Sequence, residues 1–318
     1  MYILFNSLCN SAAGCDLLSS PLFNRAIKDL LDAWGSFLTK SKSTTSLTSD
    51  MEGWFGPVAM QDLTAEGRGG FNETYVCPDP SAIDRGFGSW DAFFTRELQD
   101  GTRPIADVTD DRVIHNACES AVFKIATGVG CEDRFWMKGA SYSLKEMLQD
   151  ISMANFFAGG TVYQAFLAPQ DYHRWRSPVD GRVTKVRLIS GSYFAACPDL
   201  EPTEERGGEP MPGGLVRSQA WLTMVATRAL VYIQADNEDI GLMVFIAVGM
   251  AEVSTCEATV TEGQRVSSGD QLGMFHFGGS SYAMIFRRET EILLSEGVEV
   301  GKHIKVNETL GRVRNRGL

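Results

Sequence analysis

The chain has 318 residues, of which 44% are hydrophobic and 22% are charged, so it is long enough to bury a sizeable core in one large or two smaller domains. Its net charge is −11, and an acidic surface repels nucleic-acid phosphates and anionic lipid headgroups. No apolar run reaches the ~20 residues that span a bilayer. We therefore expect a cytoplasmic protein with no nucleic-acid partner and no stable membrane insertion.

Cysteine and histidine spacing argues against a metal site. The seven cysteines are scattered, odd in number and without a CxxC pair, and the four histidines are dispersed. Zinc sites and disulfide frameworks both need closer and more regular spacing. We therefore expect reduced thiols and no metal.

The first part of the chain has helical patterns. Ser20-Pro21 is typical of a helix start, with serine as the N-cap and proline in the first turn. A second helix is predicted over 90–98, and Ser143 to Glu146 has the spacing of a capping box. The apolar residues of the first helix recur at helical spacing on one face: Phe23, Ile27, Leu30, Leu31, Trp34 and Leu38.

From about Thr161 the pattern changes to short β-rich runs between glycine-containing turns. Such runs indicate an antiparallel β structure with barrel-like, hammerhead hairpins. The stretch from Glu201 to Gly214 is rich in Pro, Gly and Glu and predicts an exposed loop. The predicted fold class is therefore α+β, with a helical region over 1–85 and a β-rich domain over 86–318.

The most specific motif is the segment from Met274 to Tyr282, which contains Gly-Gly-Ser-Ser. It resembles the self-cleavage motif of the phosphatidylserine decarboxylases. Three further blocks are similar to that family in the same order: Phe93 to Ile105, Met137 to Leu144, and Tyr172 to Gly181. Four ordered blocks are far more specific than any one of them.

Three shorter segments resemble the soluble fungal branch of this family, which includes an L-tryptophan decarboxylase. The segments concerned are Cys118-Glu-Ser, Ser254 to Val260, and His276 to Ser281. The resemblance assigns 86–318 to the catalytic domain. Because those relatives carry a longer N-terminal extension, 1–85 is expected to be a remnant of it.

The resemblance implies a chemistry centred on Gly279 and Ser280. The serine hydroxyl attacks the glycine carbonyl, the peptide becomes an ester, and elimination followed by hydrolysis leaves a pyruvoyl group on residue 280. Glycine keeps that carbonyl sterically open and tolerates a tight turn. The pyruvoyl group then takes up a substrate amine as a Schiff base, so the cofactor comes from the chain itself and no PLP is needed.

Two positions depart from the family pattern. Glu119 stands where the family has a catalytic aspartate, and Arg176 stands where it has the histidine tied to self-cleavage. His173 matches the family's other histidine, which is tied to decarboxylation. Arginine cannot act as a base. Three explanations remain open: His173 takes both roles, His276 supplies the base, or the chain does not mature.

Other residues near these motifs are candidates for substrate binding. Arg176 can pair with Glu119 or bind a substrate carboxylate through two hydrogen bonds. The remaining candidates on the substrate side are His276, Tyr172, Trp175 and Phe275, although large aromatic residues at such spacing also suit a core.

Two functions follow. The first is a carboxy-lyase that uses its own pyruvoyl group on an amino acid or related amine-bearing carboxylate, as a monomer or a homo-oligomer. The alternative is an uncleaved family member adapted to a cofactor-free reaction in fungal secondary metabolism. A lipoyl-carrier-like reading is set aside, because a carrier needs a lysine at a hairpin tip, where this chain has Ser267-Ser268 and Asp180-Gly181.

Overall fold

The computed structural model describes residues 12–132, 142–194, 218–250, 255–277 and 280–314, and the predicted loop from Glu201 to Gly214 lies outside these ranges. The described helices are α1 (Ala12–Ser19), α2 (Pro21–Leu38), α3 (Pro57–Thr64), α4 (Phe71–Thr74), α5 (Trp90–Phe94), α6 (Leu144–Leu148), α7 (Ile151–Phe157) and α8 (Gln219–Val225), with a 3-10 helix at Ser41–Ser46.

The described strands are β1 (Val113–His115), β2 (Ser120–Thr127), β3 (Thr161–Leu167), β4 (Arg174–Arg176), β5 (Gly181–Ile189), β6 (Arg228–Ala235), β7 (Leu242–Val248), β8 (Thr255–Ala258), β9 (Arg265–Val266), β10 (Gln271–His276), β11 (Ser280–Phe286), β12 (Ile292–Leu294), β13 (His303–Ile304) and β14 (Thr309–Val313). The predicted α+β class is confirmed: helices α1 to α5 precede the first strand, whereas α6, α7 and α8 lie between strands.

An eight-stranded antiparallel sheet, in the order β13-β2-β3-β11-β7-β6-β5-β9, forms the centre of the molecule. Two three-stranded sheets accompany it, β1-β14-β12 and β4-β10-β8. Successive residues of β11 face opposite sides: Tyr282 and Met284 join one hydrophobic cluster, while Ala283 and Ile285 join the other. Since both faces are covered, β11 is buried along its whole length, and after Ser280 and Ser281 it continues as a hydrophobic run from Tyr282 to Phe286.

Helix α2 begins where the sequence predicts it, after Ser20 and with Pro21 in the first turn. Its buried face consists of Ile27, Leu31, Gly35 and Leu38. Leu30 and Trp34, which the periodicity assigned to the core, are 49% and 47% exposed. The apolar face is therefore narrower than predicted, and a glycine contributes to it.

The two other predicted helices exist but differ in detail. The helix expected over 90–98 ends at Phe94, because Leu98 instead bridges to Tyr75 as extended chain. Ser143 precedes α6 without the predicted capping hydrogen bond, since its hydroxyl donates to the Cys131 carbonyl at 3.4 Å.

A third cluster packs aromatic side chains from the N-terminal part of the chain against later ones. Phe55 and Phe71 contact Phe93, and Tyr75 stacks at 6.5 Å on Tyr172. These contacts cross the predicted domain boundary at residue 85, which stays a prediction. Within the described ranges, no helix is long and apolar enough to cross a membrane.

Candidate active site

The register of the sheet brings Ser280 next to the segment that carries His173. Ser280 opens β11 and pairs with Leu167, the last residue of β3. The chain then turns: the Asp171 amide donates to the Ala168 carbonyl at 3.0 Å, and Pro169 occupies the second position, where its fixed φ suits a turn. His173 follows this turn after one intervening residue, Tyr172.

The histidine and the serine hydroxyl are in contact. Nδ1 of His173 lies 3.3 Å from Oγ of Ser280, and both residues are fully buried. Nε2 of His173 lies 3.2 Å from the Ala168 carbonyl oxygen, which can only accept, so the proton is assigned to Nε2. Nδ1 therefore keeps its lone pair for the Ser280 hydroxyl, which is the arrangement of a nucleophile beside a general base.

Burial holds this histidine neutral. Removal from water lowers the pKa of His173 to about 3, and the charge of Asp171 offsets only part of that change. The ring stacks on Phe94 with 4.0 Å between ring centroids, and Phe275 meets it edge-on. At neutral pH the lone pair on Nδ1 is therefore available.

A buried carboxylate fixes the turn that orients His173. Oδ2 of Asp171 accepts the Ala168 amide proton at 2.7 Å, on the same residue whose carbonyl receives the His173 proton. Oδ1 of Asp171 is held by Arg68 at 2.7 Å and by His303 at 3.0 Å. Burial raises the pKa of Asp171, but the hydrogen bond from His303 and the charge of Arg68 outweigh it, so the net pKa is lowered.

Asp171, Arg68 and His303 are not among the residues predicted from the sequence. Asp171 lies two residues before His173 and directly precedes the matched block that begins at Tyr172, and that proximity is the signal that could have found it. Arg68 and His303 are far away in sequence, at 103 and 132 residues from Asp171, and no spacing rule connects them.

Glu119 contacts a different partner from the one expected of a catalytic acid. It is fully buried, and its two oxygens accept from Arg103 at 2.7 and 2.8 Å. Arg103 also donates to the backbone carbonyl of Arg68 at 2.9 Å. The contacts of Glu119 therefore stabilise the segment that carries Arg68, and its catalytic role stays a prediction.

Arg176 does not pair with Glu119, contrary to one of the predicted arrangements. Its Nη2 donates to the Tyr172 hydroxyl at 2.6 Å, and its Nη1 lies 3.4 Å from the Gly269 carbonyl. The guanidinium of Arg176 also lies over the Tyr172 ring, 5.7 Å from its centroid. Tyr172 is itself fully buried, so Tyr172 and Arg176 pack together at the end of β4.

His276 is held between two carboxylates. Nδ1 lies 2.9 Å from Asp91 and Nε2 lies 2.9 Å from Glu257. Burial lowers the pKa of His276, but the Asp91 and Glu257 contacts outweigh it and leave the pKa raised. Both ring nitrogens therefore face acceptors, and His276 has no lone pair directed at Ser280.

The two remaining aromatic candidates lie in the core. Trp175 and Phe275 are fully buried and contact each other at 5.0 Å between ring centroids. Trp175 also packs against Phe245 of β7. Of the two, Phe275 contacts His173. The role of both residues in substrate binding stays a prediction.

Gly279, the other partner of the predicted cleavage, lies outside the described residues. The described chain resumes at Ser280. Oγ of Ser281 is buried and has no hydrogen-bond partner among the described residues. Two hydroxyls thus stand at the start of β11, one held by His173 and one free to accept or donate. No group of three or more metal-ligating side chains occurs in the part of the chain that the structure describes.

Comparison with known families agrees with this geometry. A phosphatidylserine decarboxylase family model matches residues 90–312, and a second phosphatidylserine decarboxylase model matches residues 1–63. The chain belongs to the phosphatidylserine decarboxylase family. Decarboxylases are carboxy-lyases, so the predicted enzyme class is confirmed.

Individual relatives refine the placement. The chain is 55% identical to decarboxylase iboD of Amanita muscaria over 98% of its own length and 90% of that protein. It is 36% identical to the L-tryptophan decarboxylase of Psilocybe cyanescens, over 99% of the chain and 74% of the relative. A phosphatidylserine decarboxylase proenzyme of Schizosaccharomyces pombe is 27% identical over 71% of the chain but only 22% of that protein. The predicted likeness to the fungal branch is confirmed.

Proposed function

We propose that the chain is a pyruvoyl-dependent decarboxylase that cuts itself between Gly279 and Ser280, with His173 as the base. One observation carries this proposal: a neutral histidine presents its free Nδ1 to the Ser280 hydroxyl at 3.3 Å. This distance is slightly longer than the ~2.6–3.2 Å over which a general base acts, and such distances are often longer before a reaction begins. His173 then takes the role of the family's self-cleavage histidine, whose position is occupied by Arg176 in this chain.

The chain's own residues supply each step of the cut. His173 takes the Ser280 hydroxyl proton, Oγ bonds to the Gly279 carbonyl carbon, and the peptide C–N bond breaks to leave an ester and a free amine. A base then removes the Ser280 α-proton, and the ester C–O bond breaks to release the Gly279 carboxylate. Water replaces the amine on residue 280 as ammonia leaves.

The residues around position 280 fit the pyruvoyl group that these steps produce. Residue 280 lies at the end of a buried strand, within reach of His173 and beside the free Ser281 hydroxyl. The pyruvoyl group would supply the carbonyl that binds a substrate amine and the electron sink needed when CO2 leaves. His173 remains next to residue 280, where it can hold and return a proton.

The substrate class follows from the relatives and from charge. A relative that the chain covers over 74% of its length is named for a free amino acid. The net charge of −11 disfavours docking on anionic lipid. We therefore infer a small amine-bearing carboxylate as substrate. We also infer a cytoplasmic site of action, with no nucleic acid and no membrane as partner.

The alternative is an uncleaved chain whose cleft serves a cofactor-free reaction, as the Arg176 departure suggests. The two functions separate by carbonyl labelling of purified protein with phenylhydrazine, together with CO2 release from the twenty standard L-amino acids and from phosphatidylserine vesicles. We expect the label on the fragment that starts at residue 280, and none on Ser280→Ala. An unlabelled wild-type chain that releases no CO2 would overturn the proposal.

A further inference from the structure

A cavity of about 460 Å³ lies between helix α2 and one end of the large sheet. The inward face of α2 forms one wall, and the end of β5 and the start of β8 form the floor. Phe277, which follows β10, closes one side. The volume falls within the ~300–1,000 Å³ of small-molecule sites.

The sheet register places this cavity close to Ser280. Ser281 pairs with Val248 of β7, and Val248 pairs with Arg228 of β6. Thr227, which precedes Arg228, lines the cavity. Two strand spacings separate Ser281 from Arg228, which is a backbone distance of about 10 Å. Phe277, the opposite wall, is three residues before Ser280 in the chain.

The Phe277 wall is held in place by α2. Phe277 has φ +75°, a left-handed conformation that is strained for an aromatic residue. Its ring lies against Gly35, where an added Cβ would be only 2.7 Å from a ring carbon. A glycine at this position of α2 lets the ring occupy the cavity wall, and the contact keeps the strained turn in place.

The lining has an apolar interior and a polar rim. Leu31, Cys256 and Phe277 supply the interior, and burial raises the pKa of Cys256 to about 12, so its thiol stays neutral. At the rim Lys28 and Asp32 form an ion pair at 2.5 Å, and both are partly exposed. Such a cavity suits a group with an apolar ring-sized body and a polar far end.

We propose that this cavity receives the side chain of the substrate, a free amino acid with a ring-sized side chain whose polar end reaches the Lys28–Asp32 rim. The inference rests on the proposed function, because it places the amine end of the substrate at residue 280. Helix α2, from the N-terminal part of the chain, then forms a wall of the substrate site and sets the length of side chain that fits.

The test uses two amines that differ only in a ring, 2-phenylethylamine and ethylamine, with cyanoborohydride. Each amine bonds to the pyruvoyl carbon, the carbonyl oxygen leaves as water, and hydride fixes the C–N bond, so the mass of the 39-residue fragment rises. We expect the ring to lower the half-trapping concentration about 10-fold or more. Ser36→Phe, which fills the cavity from α2, should remove that advantage.

Ala33→Phe is the matched control, because it adds the same ring to an exposed position of α2 outside the cavity lining. It should keep both cleavage and the preference for the ring. Equal trapping of the two amines by cleaved wild-type protein, or an unchanged preference in Ser36→Phe, would overturn the cavity assignment alone. A wild-type chain that stays intact would overturn the proposed function, and this inference with it.

Discussion

The surroundings of His173 and of His276 shift the pKa of the same kind of side chain in opposite directions. Around His173 lie an aromatic ring, a backbone carbonyl and a hydroxyl, and its pKa falls to about 3. Around His276 lie the carboxylates of Asp91 and Glu257, and its pKa rises. Only the first arrangement leaves a lone pair for Ser280, although His276 is much the nearer of the two in sequence.

The largest effect should come from removing the base. We expect His173→Ala to slow self-cleavage by about 100-fold or more, since a positioned general base contributes at least that much. The precursor that remains after purification, measured by denaturing gel over time, reports the rate. His276→Gln is the matched control and should cleave at the wild-type rate; the reverse pattern would assign the base to His276.

The second effect tests what orients His173. Asp171→Asn removes the charge that Arg68 and His303 share, and we expect cleavage to slow by roughly 10-fold and unfolding to cost about 3 kcal/mol less. Glu66→Gln is the control, because it removes the exposed carboxylate of the same arginine. Cleavage that is equally fast in both variants would remove Asp171 from the account.

The third effect is an opposite dependence of stability on pH, measured by urea unfolding in an uncleaved Ser280→Ala background. Below pH 6.5 the unfolded chain protonates His173 and the folded chain does not, so His173 costs up to about 1.4 kcal/mol per pH unit there. His276 has a raised pKa, so its contribution is complete below pH 6.5 and is lost as the pH rises through the folded value.

Replacing each histidine separately shows the two slopes. His173→Gln should gain stability relative to its parent between pH 7 and pH 5.5. His276→Gln should lose more stability relative to its parent at pH 5.5 than at pH 9. If stability relative to the parent changed with pH in the same direction in both variants, the opposite pKa shifts assigned to His173 and His276 would be contradicted.

The smallest effect concerns Arg176. Because its guanidinium is committed to Tyr172 and His173 already faces Ser280, we expect Arg176→His to change the cleavage rate by less than about 2-fold. Arg176→Lys, which keeps the charge, should behave alike in a cleavage time course. A large acceleration in Arg176→His alone would favour the uncleaved alternative for the natural chain.

Much of the fold followed from local pattern. The start of α2 at Pro21 follows from the proline in its first turn, and the strands from Thr161 onwards follow from apolar runs; a sequence displays both features directly. The error in α2 has a physical cause: Leu30 and Trp34 fit the helical period, yet Gly35 faces inward because Phe277 packs on it. That contact joins residues 242 positions apart, and no local rule contains it.

The site was predictable in part. Motif order identified Ser280 and His173, which the structure brings together. The partners of Glu119, Arg176 and His276 depend on side chains that converge only in the folded chain, such as Arg103 for Glu119. Asp171 acts through a turn that its own carboxylate closes, and this geometry is visible only once the backbone is in place.

Denaturing mass spectrometry of the purified wild-type protein reports directly whether the Gly279–Ser280 bond is cut. The account predicts two fragments, the second being the 39 residues from 280 to 318 with a mass lower by one ammonia than its serine form. It also predicts a single intact chain for His173→Ala. A wild-type protein found only as one chain of 34.9 kDa would contradict the account.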